Sequence, residues 1–235
     1  MSIGLALALI FAPAAFWIAY AYYHDRLKPE PLVLTAFSYF LGFLSGWLCL
    51  HAYGILLPAL AIPADPERIQ GLNLEFLVYC IVVVGLVEEF FKFLPFLAAI
   101  TRFSDFNDEM DGIFYASACA LGFASYENLF YLPFLSGFAL YGRAIASPLS
   151  HTLFASVWGH LVGIARIRKR PLGPAILKGV GLAALLHGLF DFLTLSPLLR
   201  ILSALLLLAA WLWRIRTSER LAKRKAPPLI GSGCS

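Results

Sequence analysis

The sequence predicts an all-α, polytopic integral membrane protein, a bundle of about seven transmembrane helices. Of its 235 residues, 60% are hydrophobic and only 14% are charged, and the mean hydropathy is +0.80. A helix needs about 20 apolar residues to cross a bilayer. Stretches of about this length cover residues 2–23, 32–60, 73–100, 111–133, 144–165, 174–196 and 198–214.

Each predicted span has its own local signals. The first lacks a basic start, and its apolar run exceeds the roughly 7–15 residues of a signal-peptide core, so we expect a retained helix. The second contains Pro58, which favours a tilt, a kink or an early end. Pro95 is expected to loosen the end of the third span. Only the turn at Ser196-Pro197 separates the last two spans, which predicts a tight helical hairpin.

The positive residues predict the orientation of the bundle. The loop after the first span, the loop over 166–170 and the C-terminal tail hold most of the Lys and Arg residues, and these segments lie on one side of the predicted membrane. Positively charged loops stay in the cytoplasm. The N-terminus is therefore expected outside and the C-terminus in the cytoplasm.

The same pattern divides the chain into a membrane-embedded domain over 1–216 and a basic cytoplasmic tail over 217–235. The net charge is +4. A basic tail that follows a membrane span indicates topology and contact with anionic lipid. We therefore expect the lipid bilayer as a partner and no nucleic acid.

Three charged residues lie within the third span: Glu88, Glu89 and Lys92. A single charge at a helix centre costs about 2.5–3.5 kcal/mol on insertion scales, and such residues usually face a bundle interior or a wet cavity. Lys92 is three and four residues from the two glutamates, so all three share a helix face. One carboxylate can then be neutralised by the lysine, which leaves the other for chemistry. A structural ion pair is the alternative interpretation.

Two histidines lie in the fifth span, nine residues apart, which places them on opposite helix faces. His151 is the expected functional residue, and His160 is expected to pack or to meet the interface. In the sixth span His187 and Asp191 are four residues apart, so the carboxylate can orient the imidazole.

The fourth span adds further polar residues. Asp111 suits an N-cap or first-turn position, where a carboxylate stabilises the helix N-terminus. Asn128, which follows Glu127, is expected either to bond across helices or to support the site. The predicted spans place three polar residues near the middle of the membrane, Glu88, Glu89 and His187, and three in its outer half, His151, Asn128 and Asp191. All six can therefore converge on one cavity.

A carboxylate and two imidazoles can bind a zinc-like ion and leave a position for water, with a second Glu as general base. Alternatively, Glu and His activate water without a metal, and Asn128 or a His stabilises the oxyanion. Both routes lead to hydrolysis of a peptide bond in the membrane. The sequence contains neither HExxH nor GxSxG, so ordinary zincin or serine-hydrolase chemistry is not indicated.

These motifs, in this order, resemble the PrsW family of bacterial intramembrane proteases, which is distantly similar to the CAAX prenyl-protease and Abi-type membrane proteins. The resemblance covers nearly the whole chain, from the segment over 25–31 to His187-Gly188-Leu189-Phe190-Asp191. It rests on Glu88-Glu89 with Lys92, Asp111-Gly112, Gly122-Phe123-Ala124 with Glu127-Asn128, His151, and His187 with Asp191.

The resemblance implies a hydrolase of the bacterial cell membrane, classed with metalloproteases, that cleaves a membrane-anchored protein such as an anti-sigma factor in envelope stress signalling. The implied catalytic set is Glu88, Glu89, His151 and His187, with Lys92, Asn128 and Asp191 in support. Glu89, His151 and His187 are the expected ligands of a divalent metal, zinc being the first choice. An ion- or proton-coupled transporter and a non-catalytic membrane scaffold are the alternatives.

Overall fold

The computed structural model describes residues 2–24, 29–62, 70–196 and 198–225. Over these residues the chain forms seven long helices and no strand: α1 (Ile3–His24), α2 (Leu32–Ala59), α3 (74–98), α4 (Glu109–Tyr131), α5 (Gly137–Ile167), α6 (Leu172–Leu195) and α7 (Arg200–Lys225). The all-helical class is therefore confirmed. The predicted turn at Pro197 and the segment over 25–28 lie outside the described residues.

Helix lengths differ from the predicted spans at two places. Helix α5 begins at Gly137 rather than near 144, and α7 continues to Lys225 rather than ending near 214. The charged residues after 214 therefore extend the helix that carries the last apolar stretch. The rest of the predicted basic tail, 226–235, lies outside the described part of the chain.

Four of the described helices are long and apolar enough to cross a membrane: α1, α2, α6 and α7. The other three are α3, α4 and α5, which carry charged or histidine side chains buried in the bundle. Helix α4 is the clearest case, since every residue from Met110 to Ser125 is buried. A helix surrounded by protein can carry small and polar side chains that a lipid-facing helix cannot. The count of seven spans therefore stays a prediction.

Helix α3 contains a wide π-helical turn. It is α-helical over Leu74–Val78, π-helical over Tyr79–Gly85 and α-helical again over Leu86–Ala98. The Tyr53 hydroxyl of α2 donates to the carbonyls of Val83 and Val84, at 3.2 and 3.4 Å. Such π segments often occur at functional sites. Here the segment comes directly before the charged face of α3.

The small residues of the bundle allow pairs of helices to touch through their backbones. Gly42 of α2 lies against the Cys119 backbone of α4, and Gly122 of α4 lies against the Tyr39 backbone of α2. In α6, Gly188 lies against the backbone of Cys80 and Ile81 in the π segment. Close approach at small residues is a common way for membrane helices to associate. At Gly188 it fixes the height of the adjacent His187 relative to α3.

Replacing Gly188 by alanine is expected to lower the stability of the bundle. The added methyl would overlap backbone atoms of Cys80 and Ile81, which cannot move as a side-chain tip can, and overpacking typically costs about 1–3 kcal/mol. Thermal unfolding in detergent measures the effect. Gly181→Ala, on the same helix with open space around the new methyl, is the control. Equal melting temperatures for the two variants would contradict the close packing.

Candidate active site

The charged face of α3 is buried in the centre of the bundle. Glu88 is 6% exposed, and Glu89 and Lys92 are fully buried. The Lys92 ammonium lies 2.9 Å from Glu89 Oε1 and 3.3 Å from Glu88 Oε2. One lysine thus faces both carboxylates, as the spacing predicted. Two negative charges and one positive charge remain in a low-dielectric interior, so further polar partners are needed.

Glu89 is held on all sides by donors. Its Oε2 accepts the indole N–H of Trp158 at 2.9 Å, and its Oε1 lies 3.0 Å from Nδ1 of His187. Lys92 Nζ is 3.5 Å from the same nitrogen, but two donors cannot bond each other. The shorter contact therefore assigns Nδ1–H as a donor to Glu89. Glu89 is consequently an orienting partner with no free oxygen.

This bond leaves Nε2 of His187 as the free ring nitrogen. It lies 3.7 Å from Glu88 Oε2 and 3.6 Å from Asp191 Oδ2. Asp191 therefore lies beside the free nitrogen, whereas Glu89 holds the opposite edge of the ring. The predicted pairing of His187 and Asp191 is present, but the hydrogen bond that fixes the ring comes from Glu89.

His151 of α5 is held in the same way by another carboxylate. Its Nε2 lies 2.8 Å from Glu127 Oε2, and Glu127 Oε1 forms an ion pair with Arg143 at 2.8 Å. The arginine stacks on the Tyr131 ring, 4.4 Å from its centroid. With Nε2 engaged, Nδ1 of His151 is buried and has no hydrogen-bond partner among the described residues.

Three residues of this network bring ligand atoms close together. Glu88, His151 and His187 each offer one ligand atom, and these atoms all lie within 4.8 Å of one another. The two imidazole rings are 5.1 Å apart and nearly perpendicular, at 84°. We call Glu88, His151 and His187 the donor cluster. All three residues are buried.

The donor cluster fits a divalent metal on chemical grounds. Two imidazoles and one carboxylate form a ligand set that zinc accepts while keeping an open position. Metal-ligating histidines usually donate their other ring N–H to a carboxylate. Both histidines do so here, to Glu89 and Glu127, and the unpartnered Nδ1 of His151 is the kind of buried atom that a ligand would satisfy.

The family model of the PrsW family intramembrane metalloproteases matches residues 30–214. The chain belongs to this family. It is similar to the protease PrsW of Oceanobacillus iheyensis, with 32% identity over 77% of this chain and 79% of the relative. The protease PrsW of Clostridioides difficile is 31% identical over 87% and 84%, and that of Geobacillus kaustophilus 26% over 94% and 95%. No solved structure shows a significant match.

Membership in the PrsW family confirms the resemblance and supports a membrane protease. The matched region contains every residue of the donor cluster and its carboxylate partners. Residues 25–28, which open the motif region in the sequence, lie outside the described residues.

The structure brings together most of the residues that the sequence analysis assigned to the site. Glu88, Glu89, Lys92, His151, His187 and Asp191 all lie in one network. The glutamate with a ligand atom within 4.8 Å of one from each histidine is Glu88. The sequence analysis named Glu89 as the metal ligand. Neither side-chain polar atom of the fully buried Asn128 has a hydrogen-bond partner within the described ranges, so no hydrogen bond ties it to the cluster.

Asp111 has the first-turn role that its position suggested. Its Oδ2 accepts the backbone N–H groups of Asn107 and Asp108, at 2.7 and 2.8 Å, while the Asp108 side chain accepts from Met110 at 2.6 Å. The pair forms a capping box at the start of α4. His160, as expected, packs elsewhere, with its ring 5.9 Å from that of Trp213.

Sequence analysis did not place Glu127, Arg143 or Trp158 in the site. Glu127 lies one residue before Asn128, but its partner His151 belongs to another helix. One signal was available: Glu127 and Arg143 are opposite charges near the adjacent ends of two consecutive spans. Trp158 gave no signal, since an indole in an apolar span is an ordinary packing residue.

Proposed function

We propose that this protein is a metal-dependent intramembrane endopeptidase that hydrolyses a peptide bond of a membrane-anchored protein. The observation that carries the proposal is the donor cluster, in which each histidine is oriented by its own buried carboxylate. Ligands aimed in this way need no reorganisation when they bind a metal or a polarised substrate. Membership in a protease family supports peptide-bond hydrolysis over other uses of such a cluster.

The residues that would hold the metal are Glu88, His151 through Nδ1 and His187 through Nε2. Zinc suits this set of nitrogen and oxygen donors. The chemistry such an ion supplies is Lewis acidity, which polarises a carbonyl and lowers the pKa of a water molecule. Glu89 is reassigned in the proposal from ligand to orienting partner, because Lys92, Trp158 and His187 occupy its oxygens.

The remaining residues of the network have separate tasks in the proposal. Lys92 neutralises the charge of Glu89, and Arg143 neutralises that of Glu127. Glu127 holds the ring of His151, and Glu89 that of His187. Asp191, whose side chain is about a quarter exposed, is the carboxylate left beside the cluster. It accepts the proton of the attacking water at Oδ2.

The proposal includes a multi-pass location in the bacterial cell membrane, with the N-terminus outside and a C-terminal tail in the cytoplasm. The distribution of Lys and Arg among the loops supports this orientation. A single-span anti-sigma factor is the proposed substrate. The support for it is the family resemblance drawn from the motifs, and envelope stress signalling is the process it implies.

The direct test is cleavage of a single-span reporter protein by purified protein in lipid vesicles. Wild type is expected to cut the reporter within its membrane segment, and His187→Ala is expected to abolish the cut because it removes one donor and the partner of Glu89. His160→Ala is the matched control, since His160 packs beside Trp213. Full cleavage by His187→Ala, or equal loss in both variants, would overturn the proposed site.

A further inference from the structure

We propose that a wedge between α2 and α4 binds the side chain next to the scissile bond and selects substrates with a small residue there. The wedge is the cavity lined by Gly46, Cys49, Leu50 and Tyr53 of α2, by Glu88, and by residues of α4 including Phe130. The inference rests on the proposed proteolysis. It adds the route by which a substrate reaches the donor cluster and the kind of residue it presents.

The wedge exists because two helices touch at one level and separate above it. At Gly42 and Gly122 the backbones of α2 and α4 are in contact. One turn further along α2, Gly46 still lies against Tyr126, since an added Cβ would be 3.0 Å from that side chain. Beyond Gly46, the side chains of Cys49, Leu50 and Tyr53 line the cavity instead. The glycine contact therefore acts as the closed end of the wedge.

Glu88 belongs both to the wedge and to the donor cluster. A polypeptide lying in the wedge would therefore pass directly beside the carboxylate that we place at the reacting centre. Glu127, which orients His151, lines the same cavity. Within the described part of the chain these two acids are the charged residues on its wall, and the rest of the lining is apolar or aromatic. Such a wall suits an apolar membrane segment.

The mouth of the wedge lies at the side of the bundle. Phe130 and Tyr131, both on its wall, are 44% and 43% exposed. Large apolar side chains exposed on a membrane bundle face lipid. A substrate segment can therefore approach from the bilayer without crossing the polar ends of the helices.

The size of the wedge limits what it can hold. Its volume is about 30 Å³, and a space of roughly this size holds about two water molecules. Glycine, alanine or serine fits such a space, whereas leucine or phenylalanine would have to displace the aromatic wall. The wedge therefore accepts a small side chain and rejects a large one.

The first experiment varies one residue beside the cleaved bond of the single-span reporter, from alanine to valine to leucine. Wild type is expected to cut the leucine reporter more slowly than the alanine reporter by roughly 10-fold or more, since single methylenes change rates by such factors. Leu50→Ala enlarges the wedge and is expected to recover much of that loss. Leu48→Ala, on the lipid-facing side of α2, is the control and should leave the preference unchanged.

The second experiment does not depend on cleavage. A diazirine analogue of leucine, which keeps the size of the native side chain, is placed at position 50 or at position 48 in the Glu88→Gln variant, in vesicles that contain a synthetic single-span peptide with an Ala-Gly-Ala centre. Irradiation is expected to cross-link more peptide to position 50 than to position 48, which measures random contact. Preferential cross-linking at position 50, without any cleavage by wild type, would support the wedge and contradict the proposed proteolysis. Cleavage without preferential capture, or without dependence on residue size, would overturn the wedge.

Discussion

Lys92→Met is expected to lower the free energy of unfolding by about 3–5 kcal/mol, the typical effect of removing one partner from a buried ion pair. Methionine keeps much of the volume of lysine but carries no charge. Glu88 and Glu89 would then face each other's charge in a fully protein-enclosed interior. Urea or thermal unfolding of the detergent-solubilised protein measures the loss, and yield in the membrane gives a second readout.

Two variants make this result specific to the buried charges. Lys178→Met removes a lysine from the exposed surface of α6 and is expected to change stability little. Adding Glu88→Gln and Glu89→Gln to Lys92→Met removes the stranded carboxylates and is expected to recover part of the stability, as coupled charges do in mutant cycles. Equal effects of Lys92→Met and Lys178→Met would show that Lys92 does not neutralise the pair.

Glu88→Gln is expected to lower the rate of peptide-bond hydrolysis by roughly 10²–10³-fold, the usual effect of removing one group that stabilises charge at the reacting centre. The substitution keeps the shape of the side chain and leaves the bonds of Lys92, Trp158 and His187 to Glu89 in place. The protein is therefore expected to remain folded. Cleavage of the reporter and the melting temperature, measured on the same sample, separate the two effects.

The matched control for this prediction is Glu75→Gln, which removes an exposed glutamate from the first turn of the same helix. It is expected to retain full activity. The activity of Glu89→Gln is expected to lie between those of Glu88→Gln and Glu75→Gln, since loss of an orienting partner typically costs about 10–100-fold. Activity of Glu88→Gln close to that of the control would exclude Glu88 from the reacting centre.

The helical bundle and several candidate site residues could be predicted from the sequence because both depend on local signals. Long apolar stretches predict helices regardless of their neighbours. Spacing of three and four residues placed Lys92 beside both glutamates, and the nine residues between His151 and His160 separated those two side chains. Each of these inferences needs only one helix.

The choice between Glu88 and Glu89 as the partner of both histidines was beyond the sequence. The two adjacent residues point about 100° apart on an α-helix, so the answer depends on the rotation of α3 within the bundle. The π-helical turn over Tyr79–Gly85 changes that rotation just before the site. It has no reliable signal in a single sequence, because it depends on contacts such as Tyr53 to Val83 and Gly188 to Cys80.

The partners from other helices were missed for a similar reason. Glu127 reaches His151, and Trp158 reaches Glu89, only after α3, α4 and α5 have packed together. Asn128 and Glu127 are neighbours in sequence, and nothing local indicated that the glutamate would hold the histidine. These bonds belong to tertiary structure, which spacing along one helix cannot predict.

The most direct test of the central claim is the metal content of detergent-purified wild type, Glu88→Gln and Glu89→Gln, measured by elemental analysis without exposure to chelators. The donor cluster predicts near-stoichiometric zinc or another divalent metal in wild type. It also predicts loss of that metal in Glu88→Gln and its retention, with weaker affinity, in Glu89→Gln. Wild-type protein without metal, or a metal lost from Glu89→Gln but kept in Glu88→Gln, would contradict this assignment.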